Sequence, residues 1–304
     1  MKTSRREFLK KSALSVATMS VLSKTVMGMA KGELTGIQLY SVRDDMKKDP
    51  MATLMALANQ GYKHVEHADY RDRKFYGWSA KEFKKVLDDH GLKMPSGHTV
   101  LNVTQHWDEA KKDFTDKWKW TVEDAAAVGQ QFVISPSMSG DVRKSKDSLL
   151  HLMEIFNKSG ELCKKNGGMK FGYHNHDFEF SEQLDGESLY DIILKNTEKN
   201  LVIHQLDIGN LYNGGAKADD IMKKWAGRFS SMHVKDEIKS AGTDAHEKYE
   251  STILGTGIVP VKEVIDMGKK TGTIHFIIEQ ESYQGKTPLD CAKEDLAIMK
   301  KWGY

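Results

Sequence analysis

The feature that most constrains the fold is a regular alternation of short apolar segments with longer helical segments, which begins at residue 34. Eight short apolar segments predict strands at residues 34–40, 63–68, 92–98, 132–135, 169–174, 201–207, 229–234 and 274–279. Helices are predicted at residues 50–60, 79–89, 108–128, 146–165, 187–195, 218–226, 261–269 and 288–302.

This alternation predicts an α/β fold, because a strand, a helix and a further strand in succession form a parallel pair. Eight such units favour a closed (β/α)8 TIM barrel, a single domain over residues 31–304, rather than an open doubly wound sheet. No G-x-G-x-x-G motif follows the first strand, so a dinucleotide-binding fold is disfavoured. We see no signal for antiparallel hairpins and expect none.

Residues 1–30 predict a cleavable export signal that precedes the barrel. Arg5-Arg6 is followed by Phe8-Leu9-Lys10, then by an apolar stretch and a small-residue end. The paired arginines indicate the twin-arginine type, and therefore a periplasmic location. The apolar stretch is shorter than the roughly 20 residues that span a bilayer, so no stable membrane anchor is expected. A basic amphipathic helix is the alternative.

Charge and cysteine content exclude several classes of protein. The 45 Lys and Arg residues nearly balance 43 Asp and Glu, and no basic stripe interleaved with aromatic residues is present. Nucleic acid is therefore not an expected partner. Cys163 and Cys291 lie far apart within helical patterns. They are predicted to be buried structural thiols, and a disulfide between them is the alternative.

The chemistry is expected at the carboxyl ends of the strands, where barrel enzymes carry their catalytic groups. These ends supply His174, Asp207, His233 and Glu279. Imidazole and carboxylate ligands together suit one divalent ion such as Mn, Zn, Fe or Co. Such an ion polarises a carbonyl group as a Lewis acid.

Other polar residues near the strand ends are predicted to contact substrate, namely Glu66, His98 and Lys235. A surface ion pair is the alternative for Lys235. His176 follows His174 closely and is predicted either to contact substrate or to orient a ligand. Trp78 or Trp107 is a candidate apolar wall for a sugar ring.

Four segments resemble the xylose isomerase-like superfamily, also called the sugar phosphate isomerase/epimerase and endonuclease IV-like group. They are Tyr173-His174-Asn175-His176-Asp177, Gln205-Leu206-Asp207-Ile208-Gly209-Asn210, His233-Val234-Lys235-Asp236 and Ile278-Glu279. The resemblance implies a metal held by Glu, Asp, His and Glu at the ends of the last four strands. Asp207, His233 and Glu279 match the last three places, and His174 stands where the family has its first Glu.

The resemblance implies a metal-dependent isomerase or epimerase that enolises a carbonyl sugar, with Glu279, His174 and His176 as catalytic residues. The missing carboxylate at His174 and the export signal suit an alternative, a lyase that cleaves 3-keto-glycosides beside an exported oxidoreductase. A noncatalytic sugar-binding barrel is the alternative from another functional class. A phosphodiesterase of the endonuclease IV kind is disfavoured, because it needs more His and Glu ligands and a basic groove.

Overall fold

The computed structural model of the protein describes residues 34–240 and 248–304. The predicted export signal at residues 1–30 lies outside the described residues. Eight strands form a closed parallel barrel in which each strand pairs with its two neighbours in chain order, and the last strand pairs with the first. They are β1 (Leu34–Gln38), β2 (His64–His67), β3 (Lys93–His98), β4 (Phe132–Ser135), β5 (Lys170–His174), β6 (Val202–Asp207), β7 (Phe229–Val234) and β8 (His275–Ile278). The predicted single (β/α)8 barrel is therefore confirmed.

One main helix follows each strand. These helices are α1 (Pro50–Gln60), α2 (Ala80–Asp89), α3 (Asp116–Val128), α4 (Lys146–Lys165), α5 (Leu189–Asn196), α6 (Ala218–Lys224), α7 (Val261–Thr271) and α8 (Pro288–Trp302). Short helical segments lie in the connections, at Leu39–Val42, Arg43–Lys48, Val103–His106, Val142–Lys144, Phe178–Ser181 and Ile208–Asn213.

Local side-chain chemistry defines where the helices begin. The Ser79 side chain accepts a hydrogen bond from the Glu82 backbone N–H, and the Glu82 carboxylate accepts one from the Ser79 backbone N–H. This capping box satisfies two donors that a helix start otherwise leaves unpaired. Ser188 caps α5 in a similar way, so this helix begins at Leu189 and not at the predicted residue 187.

The expectation that hairpins are absent was wrong. Antiparallel strands pair within the connections after β2, β3, β5 and β7, at Tyr70–Arg71 with Lys74–Phe75 and Trp78–Ser79, Trp107–Asp108 with Asp113–Phe114, Gln183–Leu184 with Glu187–Ser188, and Asp236–Lys239 with Tyr249–Thr252. The second of these displaces the start of α3 from the predicted residue 108 to Asp116. Asp185-Gly186 is a hairpin signal in the sequence, since both residues adopt positive φ there, as a type I′ turn requires.

The core lies between the barrel and its surrounding helices. Trp118 of α3 is fully buried, and its indole N–H donates to Ser159 Oγ of α4 over 2.9 Å. Cys163 and Cys291 are both buried free thiols, as predicted. In the described part of the chain, no helix combines the length and the apolar character needed to cross a membrane.

Helix α4 approaches the barrel closely at Gly160. A Cβ atom at this position would lie 2.7 Å from both the Cβ and the carbonyl oxygen of Leu201. Because one of these atoms belongs to the backbone, the contact cannot be relieved by a side-chain rotation alone. The absence of a side chain at residue 160 therefore sets the distance between α4 and the segment that leads into β6.

We predict that Gly160→Ala lowers the free energy of unfolding by about 1–3 kcal/mol through overpacking. A loss of stability would be informative, because helix propensity alone favours alanine over glycine by about 1 kcal/mol and therefore predicts a gain. Gly140→Ala is the control, since its nearest atom would be 3.7 Å away. Urea unfolding of both variants measures the effect, and a Gly160→Ala protein as stable as the parent would contradict the packing argument.

Candidate active site

A solvent-open cavity of about 1020 Å³ lies at the carboxyl ends of the strands. The strand-end residues that line it are three histidines and one carboxylate, namely His98, His174, His176 and Glu279. Among the other predicted site residues, Asp207 and His233 are fully buried beside this group, and Lys235 is almost fully buried. The structure thus brings the predicted metal-ligand positions together.

Asp207, His233 and Glu279 present their ligand atoms to one another. His233 Nδ1 lies 3.1 Å from Glu279 Oε2 and 3.7 Å from Asp207 Oδ2. His174 Nε2 lies 3.9 Å from the same Asp207 oxygen. The ligand atoms of Asp207, His233 and Glu279 thus lie within 4.8 Å of one another, and His174 Nε2 approaches them from a fourth strand end.

Asp207 has two roles, one for each carboxylate oxygen. Its Oδ1 accepts a hydrogen bond of 2.8 Å from the Asn210 backbone N–H and so begins the short helix Ile208–Asn213. Its Oδ2 is buried and accepts no hydrogen bond of good geometry, although Lys235 Nζ lies 3.1 Å away. A buried oxygen left in this state is costly unless a cation or a donor reaches it.

Gln205 fixes the orientation of His174. Its Oε1 accepts hydrogen bonds from His174 Nδ1 over 3.2 Å and from His98 Nε2 over 2.7 Å. This places the proton of His174 on Nδ1, which leaves the lone pair of Nε2 directed at Asp207. Because its side chain lies in the middle of β6, Gln205 was not among the residues predicted from the sequence.

Glu66 orients His233 from the other side. Its Oε1 accepts a hydrogen bond of 2.6 Å from His233 Nε2, and Glu279 Oε2 lies 3.1 Å from Nδ1. Burial lowers the pKa of His233, but Glu279 and Glu66 outweigh it and raise the pKa well above its ordinary value, so Nδ1 donates to Glu279 unless an ion takes the place of its proton. A carboxylate behind a histidine is the usual way in which a metal-ligating imidazole is held in one tautomer. Glu66 is fully buried and does not line the cavity.

The negative charge of Glu66 is itself compensated by hydrogen-bond donors. Gln38 and Gln205 donate to it over 2.8 and 2.9 Å, and Ser96 adds a short hydrogen bond. Burial alone raises the pKa of this carboxyl, but the neighbouring His98 and His233 and these donors outweigh it and hold the pKa at about 2. The group is therefore a permanent anion beneath the site.

Lys235 lies within the carboxylates and is not a surface ion pair. Its Nζ lies 2.8 Å from Glu279 Oε2 and 3.0 Å from Glu281 Oε1, in addition to its contact with Asp207. Burial lowers the pKa of such an amine, but these carboxylates outweigh it and raise the pKa well above its ordinary value. A Cβ at Gly209 would lie 2.6 Å from the Lys235 side chain, so this glycine leaves room for its path.

His176 differs from the other three histidines at the site. It is half-buried, lines the cavity, and stacks on Phe178 with ring centroids 5.6 Å apart. Its Nδ1 is shielded and has no hydrogen-bond partner. Its backbone N–H donates over 2.8 Å to buried Glu179, which also accepts a hydrogen bond from the Tyr173 hydroxyl. The backbone of His176 is thus held while its ring remains available.

Known proteins resemble this chain in sequence and in fold. Residues 54–302 match the family described as "Xylose isomerase-like TIM barrel", which confirms the resemblance seen in the strand-end motifs. Inosose dehydratase of Clostridium perfringens is 25% identical over 271 residues, which cover 82% of this chain and 84% of that protein.

Solved structures show the same architecture. A sugar phosphate isomerase/epimerase from Parabacteroides distasonis is 25% identical, with a TM-score of 0.73 over 89% of this chain and 98% of its own. The IolI protein, solved with a bound zinc atom, has a TM-score of 0.65 at 11% identity, over 88% of this chain and 97% of its own. The latter likeness shows the fold alone.

We predict that Lys235→Met destabilises the protein in the presence of a chelator by about 3 kcal/mol or more at neutral pH, because it removes the ammonium group that contacts buried Asp207 and Glu279. Lys223→Met, which removes an exposed pair with Asp219, should change the unfolding free energy by less than about 1 kcal/mol. Denaturant unfolding of the two variants measures the difference. Equal stabilities would show that Lys235 is not the counter-charge of the cluster.

Proposed function

Because the chain belongs to the xylose isomerase-like TIM barrel family, we propose that it is a metal-dependent lyase of carbonyl sugars or keto-polyols. It removes the proton next to the carbonyl and then eliminates the oxygen substituent at the β carbon. The observation that carries this proposal is that an imidazole, His174, lines the cavity at the end of β5, where the family has a carboxylate, and that it lies beside His98, His176 and Glu279. An epimerase that moves a proton between two carboxylates on opposite faces of the substrate needs a second carboxylate beside Glu279. His174 stands where that carboxylate would be.

The donor set fits one divalent ion. Asp207 Oδ2, His233 Nδ1 and Glu279 Oε2, whose ligand atoms lie within 4.8 Å of one another, would hold it together with His174 Nε2, which lies 3.9 Å from Asp207 Oδ2. Mixed nitrogen and oxygen donors suit Mn, Zn, Fe or Co. When bound, the ion polarises the substrate carbonyl and makes the adjacent proton more acidic. The zinc found in the IolI protein supports the proposal.

His176 is the residue we assign to proton transfer. Glu279 is engaged by Lys235 and His233, whereas the His176 ring lines the cavity and, because its Nδ1 is shielded, meets a ligand through Nε2. His176 takes the proton from the carbon next to the carbonyl, and the electrons of that C–H bond form the enolate. The enolate re-forms the carbonyl as the C–O bond at the β carbon breaks, and the leaving oxygen takes the proton back from His176.

Two comparisons support two outcomes of the same enolate. The inosose dehydratase of Clostridium perfringens supports elimination, which makes an enone. The Parabacteroides distasonis isomerase/epimerase supports a second candidate, in which the enolate is reprotonated on carbon or oxygen without loss of a group. The products differ by the mass of the leaving group, and so they are readily separated.

We predict that His176→Gln lowers turnover of an inosose or a 3-oxo-glycoside by about 10²- to 10⁴-fold while the protein keeps its metal. The His233→Ala protein should lose both turnover and metal, because it lacks a ligand. The His151→Gln protein, changed at a histidine outside the cavity, should lose neither. Elemental analysis, enone absorbance and mass spectrometry of the product are the measurements. An isomer of unchanged mass would support the isomerase, and a parent protein that never retains metal would contradict the metal-dependent mechanism.

We also propose that the chain is exported to the periplasm and meets an unphosphorylated substrate there, which an exported oxidoreductase oxidises to the ketone. The Arg5-Arg6 segment supports this proposal, and it lies outside the described residues.

Changing Arg5-Arg6 to Lys-Lys should leave the protein in the cytoplasm with residues 1–30 attached, because twin-arginine export depends on this pair. Fractionation and N-terminal sequencing measure the outcome. Unchanged periplasmic delivery would contradict the assignment.

A further inference from the structure

The cavity is larger than one sugar ring requires. At the roughly 30 Å³ that a water molecule occupies in the liquid, the twelve heavy atoms of a hexose fill at most about 360 Å³. The cavity measures about 1020 Å³. A single ring placed at the strand ends therefore leaves most of the cavity unfilled.

The remaining wall comes from the other half of the barrel. The metal-ligand positions lie at the ends of β5 to β8, whereas the outer wall is formed by segments that follow β1 to β4. Its larger members are Tyr40, Tyr70, Val100, His106, Lys117 and Trp120.

This outer wall holds an unusual share of exposed apolar side chains. In the described part of the chain, six large apolar side chains are exposed, and three of them line the cavity. These three are Tyr40 (44% exposed), Val100 (43%) and Trp120 (41%). An exposed apolar surface within a concave site is typical of a ligand-binding wall.

Trp120 contacts a guanidinium group that a hydrogen-bonded network holds in place. The Arg73 guanidinium lies over its ring, 5.4 Å from the centroid. Arg73 is fixed by hydrogen bonds of 3.0 and 2.8 Å to Asp124, which also accepts one of 2.7 Å from the Tyr70 hydroxyl. The guanidinium beside the indole is therefore fixed before any ligand arrives, while 41% of the Trp120 side chain stays exposed to a ligand.

The hairpin that carries Arg73 adopts a costly backbone conformation. Asp72 and Arg73 form its turn with φ values of 48° and 62°, in the left-handed region that side chains other than glycine rarely adopt. Such strain persists where surrounding contacts outweigh it, and it is concentrated at binding sites. The network around Asp124 supplies those contacts.

The charges of the outer wall do not favour a phosphate. Arg71 is paired with Asp69 over 2.9 Å, and Arg73 is paired with Asp124, so both guanidinium groups are already compensated. Lys117 is exposed, and within residues 34–240 and 248–304 no carboxylate lies within ion-pair distance of its ammonium. The wall thus combines exposed apolar side chains with polar ones, and its guanidinium charges are compensated whereas the Lys117 ammonium is not.

We infer that the outer half of the cavity, the wall of Tyr40, Val100 and Trp120, binds a second ring of the substrate against Trp120. This inference rests on the proposed function and narrows it: the carbonyl sugar is one part of a glycoside, and the second ring, a sugar or an aromatic aglycone, occupies the outer half. Burial of a ring face against the indole supplies the selectivity for two-ring substrates over single-ring ones.

The experiment compares kcat/KM for a 3-oxo-glucose series that differs only in the outer group: the methyl glycoside, the phenyl glycoside and a disaccharide. The parent should prefer at least one of the two-ring substrates to the methyl glycoside by about tenfold or more, which corresponds to about 1.4 kcal/mol. Trp120→Ala should abolish that preference, so that the two-ring substrates react no better than the methyl glycoside. Met55→Ala, an equally exposed apolar position outside the cavity, is the control.

Binding of the unoxidised phenyl glucoside and the unoxidised disaccharide, followed by tryptophan fluorescence and calorimetry, separates this inference from the proposed chemistry. If no carbonyl sugar is turned over but Trp120-dependent binding persists, the lyase assignment fails and the second-ring site stands. Equal kcat/KM across the series, or a preference that Trp120→Ala leaves intact, overturns the inference. A preference for a sugar phosphate that depends on Lys117 also overturns it.

Discussion

The buried carboxylate of Glu66 is the interaction on which the site depends. It accepts hydrogen bonds from Gln38 of β1, Ser96 of β3, Gln205 of β6 and His233 of β7, so one anion ties together strands from across the barrel. A buried charge is tolerated only when it is paired and hydrogen-bonded, and two of the donors here have a second use. Gln205 holds His98 and His174, and His233 contacts Glu279 through its other nitrogen. The orientation of these side chains thus follows from the compensation of a single negative charge.

Above this anion, positive and negative groups lie together in a small volume. Asp207 and Glu279 bring two negative charges, and Lys235 brings one positive charge, all of them buried. A divalent ion bound there would share its ligands with an ammonium group already in contact with them. The affinity of the site for metal is therefore set by two opposing effects: carboxylates that attract the ion and a lysine that repels it. Metals that bind imidazole strongly are favoured by this balance, since His174 and His233 carry no charge when they act as ligands.

The barrel was predictable because its signal is local and repeated. Each strand is an apolar run of a few residues, and the ends of such runs in a barrel meet at one face, so His174, Asp207, His233 and Glu279 could be expected to lie together. The hairpins were missed because their paired strands are mostly two residues long and too short to show a period. The hydrogen bond between Glu66 and His233 joins residues 167 positions apart, and no local pattern predicts it. Trp120 was overlooked because it lies two residues from the buried Trp118, where only the helical period separates an exposed face from a core face.

The short hairpins have a consequence for how such a barrel diversifies. All of them lie in connections that follow barrel strands, and their strands form sheets of their own that are not paired with the barrel. A mutation, an insertion or a recombination event in one of these hairpins therefore leaves the hydrogen bonding of the barrel intact. The residues that hold the charge cluster can stay constant while the opposite rim changes from one lineage to the next. For laboratory evolution, the hairpin at Tyr70–Arg71 and Lys74–Phe75 and the exposed face of α3 are thus the natural library positions for new substrate ranges.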